Sequence, residues 1–314
     1  MDFSIIIPAK NEAENIKLCL QSIAEVTYSA DKYEILLIDN GSIDSTVSIA
    51  ESFGVDVFIK PELTISGLRN FAAARAQGKI LAFLDADCTV FPDWLNTASH
   101  WLDREDVGCF GSPPEVPSGG TWVQKSWFIV RGKIGIIEEV DWLESMNMFV
   151  RKDIFEIVNG FDENLQTCED YDLSLRLKAH GRIVSDHRIR AVHHGEASTL
   201  SHYYRKESWR GQSNLTGLLQ HGFHWRELPS LLVPIIYLLC FVLTFLFGIM
   251  LLVGVEFVTV YSFVIWLLLW QIPILFVAFY KGSTSSSRSL KFGLYLLLNI
   301  YFLARARAMF RTRI

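Results

Sequence analysis

Two uncharged apolar runs in the last third of the chain constrain its fold more than any other feature. From Leu231 to Val255 the sequence reads LLVPIIYLLCFVLTFLFGIMLLVGV, and after Glu256 a second run extends from Phe257 to Tyr280. Each exceeds the roughly 20 residues needed to cross a bilayer core. Adjacent uncharged runs of this length are rare in water-soluble cores, and membrane helices tolerate residues such as Pro234 and Pro273. Only a short turn around Glu256 separates the runs, so residues 231–280 are expected to form a hairpin of two transmembrane helices.

Flanking charge sets the expected orientation. Arg205, Lys206, Arg210 and Arg226 precede the hairpin, and Lys281, Arg288 and Lys291 follow it. Excess positive charge marks cytoplasmic flanks, which predicts a multi-pass protein of the cytoplasmic (inner) membrane with its larger part in the cytoplasm. A third apolar stretch, Phe292 to Ala304, is shorter. If it crossed, Arg305, Arg307, Arg311 and Arg313 would lie on the wrong side, so residues 281–314 are expected to form a basic segment with an interfacial or re-entrant helix, a third crossing being the alternative. Residues 201–230, with Trp209 and Trp225 among basic residues, fit a juxtamembrane segment whose rings sit at headgroup level.

The part before the hairpin is acidic: of 34 Asp and Glu residues, only Glu256 follows Ser230. No nucleic-acid partner is expected, because phosphate neutralisation needs a basic surface. The chain opens on a strand-like run without a charged region leading into a cleavable apolar segment, so no signal peptide is expected. Cys19, Cys88, Cys109, Cys168 and Cys240 show neither paired nor zinc-like spacing, which suits a reducing cytosol.

Residues 1–200 read as a domain in which strands alternate with helices. Strands are predicted at 3–7, 35–38, 55–59 and 80–84, with helices from the Asn11-Glu12-Ala13-Glu14 cap, over 44–53 and over 66–77. Further strands are predicted near 147–150, 183–185 and 189–192, with a helix from Glu169-Asp170 to Gly181. Buried strands alternating with helices indicate an α/β fold with a mostly parallel sheet, whose ligands bind beyond the carboxyl ends of the strands. The polar clusters at Pro8 to Glu12, Asp39 to Ser42 and Asp85 to Asp87 all fall there. Neither GxGxxG nor GxxxxGK[ST] occurs, which removes the signatures of dinucleotide and P-loop sites.

Asp85-x-Asp87 is a DXD pair at a strand end. Two adjacent anions are costly unless a cation lies between them, and a hard divalent ion suits them. Together with Ile5-Ile6-Ile7-Pro8-Ala9-Lys10-Asn11-Glu12, Ile38-Asp39-Asn40-Gly41-Ser42-Ile43-Asp44-Ser45-Thr46, Gly67-Leu68-Arg69-Asn70, and Gly160-Phe161-Asp162-Glu163 leading to Glu169-Asp170-Tyr171-Asp172, it resembles glycosyltransferase family 2 and its Rossmann-like GT-A fold. The hairpin resembles that of membrane-anchored members that build cell-surface glycans.

The resemblance implies a role for each matching position. Pro8, Ala9 and Glu12 would line a nucleotide-sugar pocket, with Ala86 beside it. Asp39 would accept from the base, Arg69 would reach the nucleotide or diphosphate, and Asp85 would contact the ribose side. Asp87, with Asp85 and a histidine, would hold Mg²⁺ or Mn²⁺. His193 and His194 compete for the histidine role, His193 being preferred. Asp170 would be the general base that deprotonates the acceptor, with Glu169 as fallback, while Asp172 is expected to pair with Arg176. Trp142, Met146 and Asn147 fall where the family places its acceptor side.

Processive members carry Gln-x-x-Arg-Trp before the membrane, whereas this chain has Trp209-Arg210-Gly211-Gln212, which favours transfer of a single sugar. The implied reaction moves that sugar, from a UDP-sugar by preference, to a lipid-linked or saccharide acceptor beside membrane lipids. A polyprenyl-phosphate acceptor would need no base, and a non-catalytic scaffold for glycan synthesis would show a broken metal or base motif.

Overall fold

The structure is a computed structural model that describes residues 1–130, 135–165, 167–211, 228–256 and 258–309. Gln212, Trp225, Arg226, Phe257, Arg311 and Arg313 lie outside the described residues. Two compact units divide the chain: Met1–Ser118 with Ile134–Glu196, and Gly119–Lys133 with Ala197–Ile314. The expected domain 1–200 therefore ends a few residues early, and an internal segment groups with the C-terminal unit.

In the first unit, strands β1 (Phe3–Ala9), β2 (Tyr33–Asp39), β3 (Asp56–Ile59) and β4 (Ile80–Leu84) pair in parallel in the order β3-β2-β1-β4. Beyond β4 the sheet becomes mixed. β5 (Cys88–Val90) stands apart, while β6 (Val107–Gly111), β7 (Ile137–Glu139), β8 (Asn147–Arg151) and β9 (Arg182–Asp186) complete the order β4-β8-β6-β9-β7. Strand β8 runs antiparallel to both of its neighbours, so the sheet is parallel only from β3 to β4 and across β6 and β9. Strand β10 (Ala191–His193) pairs antiparallel with β5 in a separate two-stranded sheet.

Helices cover both faces of the sheet. On one, Phe3, Ile5 and Ile7 of β1 join Ile16, Cys19, Leu20 and Ile23 of α1 (Ala13–Ala24). On the other, Ile6 packs with Leu68, Ala72 and Ala73 from the helix at Ile65–Ala73, the period-two alternation of a strand buried on both sides. Between these helices lies α2 (Thr46–Ser52), which makes the Ile65–Ala73 helix α3, and α4 (Trp94–Ser99) follows β5. The capping expected around Asn11 takes another form. Asn11 has φ +54°, and α1 starts after Glu12 with no side-chain cap. Its entry is held across the crevice instead: Ala13 N donates to Asp44 Oδ2 (3.2 Å) and Glu12 N to Thr46 Oγ1 (2.8 Å).

The second unit combines α5 (Trp122–Phe128) with helices near the end of the chain. After α6 (Lys152–Ile157) and α7 (Glu169–Leu177) of the first unit come α8 (Leu200–Arg210), α9 (Leu228–Val253), α10 (Val260–Lys281) and α11 (Arg288–Met309). α9 and α10 are each long and apolar enough to cross a membrane, and they continue through Pro234 and Pro273. Most of their side chains face outward, including Leu239, Phe245, Leu269 and Phe276, an apolar surface larger than water-soluble monomers expose.

Among the described residues, polar bonds join each pair of these three helices. Trp266 Nε1 donates to Thr244 Oγ1 (2.8 Å), Tyr237 Oη to Asn299 Oδ1 (2.6 Å) and Tyr295 Oη to Gln271 Oε1 (2.7 Å). Another face of α11 meets α5 and α8. A β-carbon at Gly293 would fall 2.2 Å from Ser126 Oγ, and Leu297 packs with Val123 and Tyr203.

Candidate active site

The polar clusters predicted at strand ends do converge in the first unit. Pro8 and Ala9 close β1 as buried walls, and Ala9 lies in register with Asp39 at the end of β2. Asp39 is fully buried. Its Oδ1 accepts from Ser42 N (2.7 Å) and its Oδ2 from Ser42 Oγ, so it closes its own turn. Asn11 clasps that turn by accepting from Ile43 N (2.9 Å) while its own N–H donates to Ser42 Oγ (2.8 Å).

Half-buried Glu12 belongs to the same acidic crevice. Burial raises its pKa first, and the carboxylates of Asp87, Asp85 and Asp44 add to the rise, against the lowering hydrogen bond from Asn15. The mutual repulsion is what a crevice built for a cation or cationic partner would show.

Arg69 joins two of the motifs. Carried on α3, its side chain is 3% exposed, and it reaches Asp85 Oδ1 at 2.9 Å and Glu169 Oε1 at 3.0 Å. Its guanidinium lies 5.4 Å from the Phe161 ring centroid. The neighbouring Asn70 donates to Phe161 O (2.9 Å) and Glu163 Oε1 (2.9 Å) and accepts from Phe161 N (2.9 Å). Gly160 is required beside it: φ is +65°, and a β-carbon there would lie 2.5 Å from Asn70 Oδ1. Three motifs distant in sequence are thus one connected structure.

Asp170 sits in the first turn of α7 beside Glu169, where negative charge meets the positive end of the helix dipole. Even so, its pKa is raised to about 7, by burial first and then by the carboxylates of Glu169 and Glu144, against the lowering influence of the Tyr171 N–H and Arg69. Glu169, the fallback base, is held in the ion pair with Arg69. Asp172 pairs with Arg176 at 2.5 Å as expected.

Between the histidines the geometry separates roles. The β5–β10 register sets His193 against Cys88 and brings His193 Nε2 to 3.1 Å from Asp87 Oδ2. His194 turns instead to Thr89 Oγ1 at 3.0 Å. Burial opposes protonation of His193, but the adjacent carboxylates of Asp87 and Glu196 outweigh it and push its pKa up to about 9. One oxygen and one nitrogen donor about 3 Å apart suit adjacent positions around an octahedral divalent ion with bonds of roughly 2.1 Å. Among the described residues, no group of three or more His, Cys, Asp or Glu side chains is arranged to hold a metal alone. Asp85, expected to share the ion, commits Oδ1 to Arg69, and buried Ala86 connects the two aspartates.

The acceptor-side expectation changes at Asn147. This residue is fully buried: Nδ2 donates to Ser112 O (3.0 Å), Ser112 Oγ (3.1 Å) and Ile189 O (2.9 Å), and Oδ1 accepts from Trp94 Nε1 (2.9 Å). It is a polar cross-link of the core. Trp142 is exposed and meets Tyr171 edge to face, with centroids 6.1 Å apart, and Met146 packs on the core.

The model of the family described as glycosyl transferase family 2 matches residues 4–160. This chain belongs to glycosyltransferase family 2. Glycosyltransferase AglE of Haloferax volcanii is 36% identical over 172 residues, covering 52% of this chain and 56% of that protein. The O-antigen biosynthesis protein RfbC of Myxococcus xanthus is 29% identical over 223 residues, covering 62% of this chain and 17% of its own length. The family 2 chain thus spans little more than half of the first of these relatives and a small part of the second.

Among solved structures, the mannosyltransferase PcManGT of Pyrobaculum calidifontis, in complex with GDP-Man and Mn²⁺, matches with a TM-score of 0.66 at 15% identity over 99% of this chain and 88% of its own. S. aureus TarS 1–349 in complex with UDP-GlcNAc matches with a TM-score of 0.51 at 19% identity, covering 68% of this chain and 67% of its own. At such identities the likeness is one of fold, and it agrees with the GT-A arrangement of sheet and flanking helices.

Proposed function

We propose that this family 2 chain is an inverting, metal-dependent glycosyltransferase that moves a single sugar from a nucleotide-sugar, by preference a UDP-sugar, to a lipid-linked or saccharide acceptor in cell-surface glycan synthesis. The observation that carries the reading is the Arg69 bridge, which ties Asp85 at the end of β4 to Glu169 beside Asp170. Donor-side and acceptor-side carboxylates are thereby held in one crevice.

In this reading Pro8, Ala9 and Glu12 wall the nucleotide, Asp39 accepts from its base, and Asp85 with Ala86 faces the ribose side. Asp87 and His193 would hold Mg²⁺ or Mn²⁺, with the donor diphosphate completing the coordination. When bound, the ion stabilises the negative charge that grows on the departing nucleoside diphosphate. Asp170, with its raised pKa, takes the proton from the acceptor hydroxyl on the opposite face of the sugar. One displacement at the anomeric carbon inverts its configuration.

The apolar helices α9 and α10 support a membrane location. Lys281 and Arg288 on one side of the hairpin and Arg205, Lys206 and Arg210 on the other support cytoplasmic placement of both of its ends. TarS was solved with UDP-GlcNAc and PcManGT with GDP-Man, so the donor base is the first question. Calorimetric titration of the detergent-solubilised protein with UDP, GDP and CDP, with and without Mn²⁺, tests the reading. Manganese-dependent binding of UDP is the expected result. The same response to GDP alone would reassign the donor, and no binding of any nucleotide would overturn the proposal.

A further inference from the structure

The transfer reaction as read above makes no use of Glu196, a carboxylate placed directly behind the metal-facing histidine. Glu196 is 6% exposed and its Oε1 lies 3.5 Å from His193 Nδ1; His193 is itself 4% exposed. The opposite ring nitrogen, Nε2, lies 3.1 Å from Asp87 Oδ2. A carboxylate withdrawn from water is retained only where a partner offsets its desolvation. Here the imidazole is clamped between two carboxylates, one at each nitrogen.

The clamp is built by the backbone. His193 ends β10, whose pairing with β5 fixes its height beside Asp87, and His194 N donates to Asp87 O (2.9 Å). The chain then turns at Gly195, where a β-carbon would stand 1.8 Å from Asp87 Oδ2 and 3.2 Å from His193 Nε2. That close passage brings Glu196 round to the far side of the ring. A neutral imidazole carries one N–H, and the bond made by one nitrogen decides what the other can offer.

We propose that Glu196 is a positioning residue: it holds the His193 Nδ1–H toward itself and so presents the Nε2 lone pair to the divalent cation that His193 would share with Asp87. The proposal rests on the metal-dependent reading above. A carboxylate behind a ligating histidine fixes the ring's tautomer and orientation and raises its basicity, and loss of such a partner typically costs about 10- to 100-fold in metal affinity.

The test is a Mn²⁺ titration of the full-length, detergent-solubilised protein, followed by electron paramagnetic resonance of the free ion, for the wild type, Glu196→Ala and Glu196→Gln. Thermal melting and metal-free UDP affinity are measured alongside. Glu196→Ala is expected to weaken Mn²⁺ binding by about 10- to 100-fold, and Glu196→Gln, which keeps an acceptor but not the charge, by less. Metal-free UDP affinity should stay within about twofold, which separates this role from a purely structural one. Mn²⁺ affinity within about threefold of the wild type in a folded Glu196→Ala protein would overturn the inference. If Glu196→Ala does not fold, the near-isosteric Glu196→Gln decides, and Mn²⁺ affinity indistinguishable from the wild type in that variant would overturn the inference. Failure of the wild type to bind Mn²⁺ at all would overturn the metal-dependent reading itself.

Discussion

Gly195 passes so close to Asp87 that a β-carbon at position 195 would stand 1.8 Å from the carboxylate oxygen Oδ2. Alanine there must displace the side chain that this fold brings to His193, while the β10 strand that precedes it keeps its pairing with β5. Gly195→Ala is expected to melt near the wild-type temperature and to lose about 10- to 100-fold in Mn²⁺-dependent turnover, the scale on which displaced metal-site contacts act. Steady-state kinetics across a Mn²⁺ titration check this, and wild-type turnover would remove Asp87 from the site.

Arg69 has no conservative substitute. Its buried fork serves Asp85 and Glu169 together, and removing one partner of a buried ion pair costs about 3–5 kcal/mol, because the remaining charges lose compensation. Arg69→Met should lower the melting temperature markedly. In whatever fraction stays folded, the acid limb of the pH–rate profile should move upward, since Arg69 is one of the groups that lower the Asp170 pKa. Arg69→Lys keeps charge but not the fork and should fall between.

How much of this was legible depended on the length of the signal. Strands β1, β2 and β4 were readable because continuous apolar runs end in Pro8, Asp39 and Asp85. Three-residue strands such as β5 and β7 are too short to show a period, so the pairing that brings His193 to Asp87 was hidden. Asn147 illustrates a different limit: an asparagine's chemistry suits a substrate or a core equally, and only its four bonds to Trp94, Ser112 and Ile189 decide. Glu196 leaves a usable signal, a carboxylate three residues after a strand-end histidine, but only the turn at Gly195 brings it to the ring. The grouping of 119–133 with the C-terminal helices leaves no local mark, since it arises from contacts such as Ser126 against Gly293.

In the second unit, Glu207 is 1% exposed and accepts from Arg210 Nη1 (2.9 Å) and Arg305 Nη2 (2.9 Å), joining α8 to α11. Glu207→Leu leaves the 12%-exposed Arg305 without that countercharge and should destabilise this unit by about 3–5 kcal/mol. Glu207→Gln, which can still accept, should cost less. Thermal aggregation of the detergent-solubilised variants gives the order, and a Leu variant as stable as the wild type would show that the pair contributes nothing.

Asp170 connects stability and activity with opposite signs. Its pKa in the folded protein is raised from 3.8 to about 7, so between those values the folded state binds more protons at this site than the unfolded chain does. The stabilising contribution is fully present below the unfolded pKa and is lost as pH rises through the folded one. Asp170→Asn removes the penalty of ionising a buried carboxyl, so its melting temperature should exceed that of the wild type by a margin that grows from pH 5 to pH 8. As the proposed general base, Asp170 would act in its ionised form, so wild-type kcat/KM should rise with pH along a limb centred near the same pKa. Asp170→Asn should lose about 10²- to 10⁴-fold in transfer to a hydroxyl acceptor, the usual contribution of a general base. Melting curves and rate profiles measured on the same preparations provide the check: a variant more stable at pH 8 but fully active would keep the buried acid and discard the base.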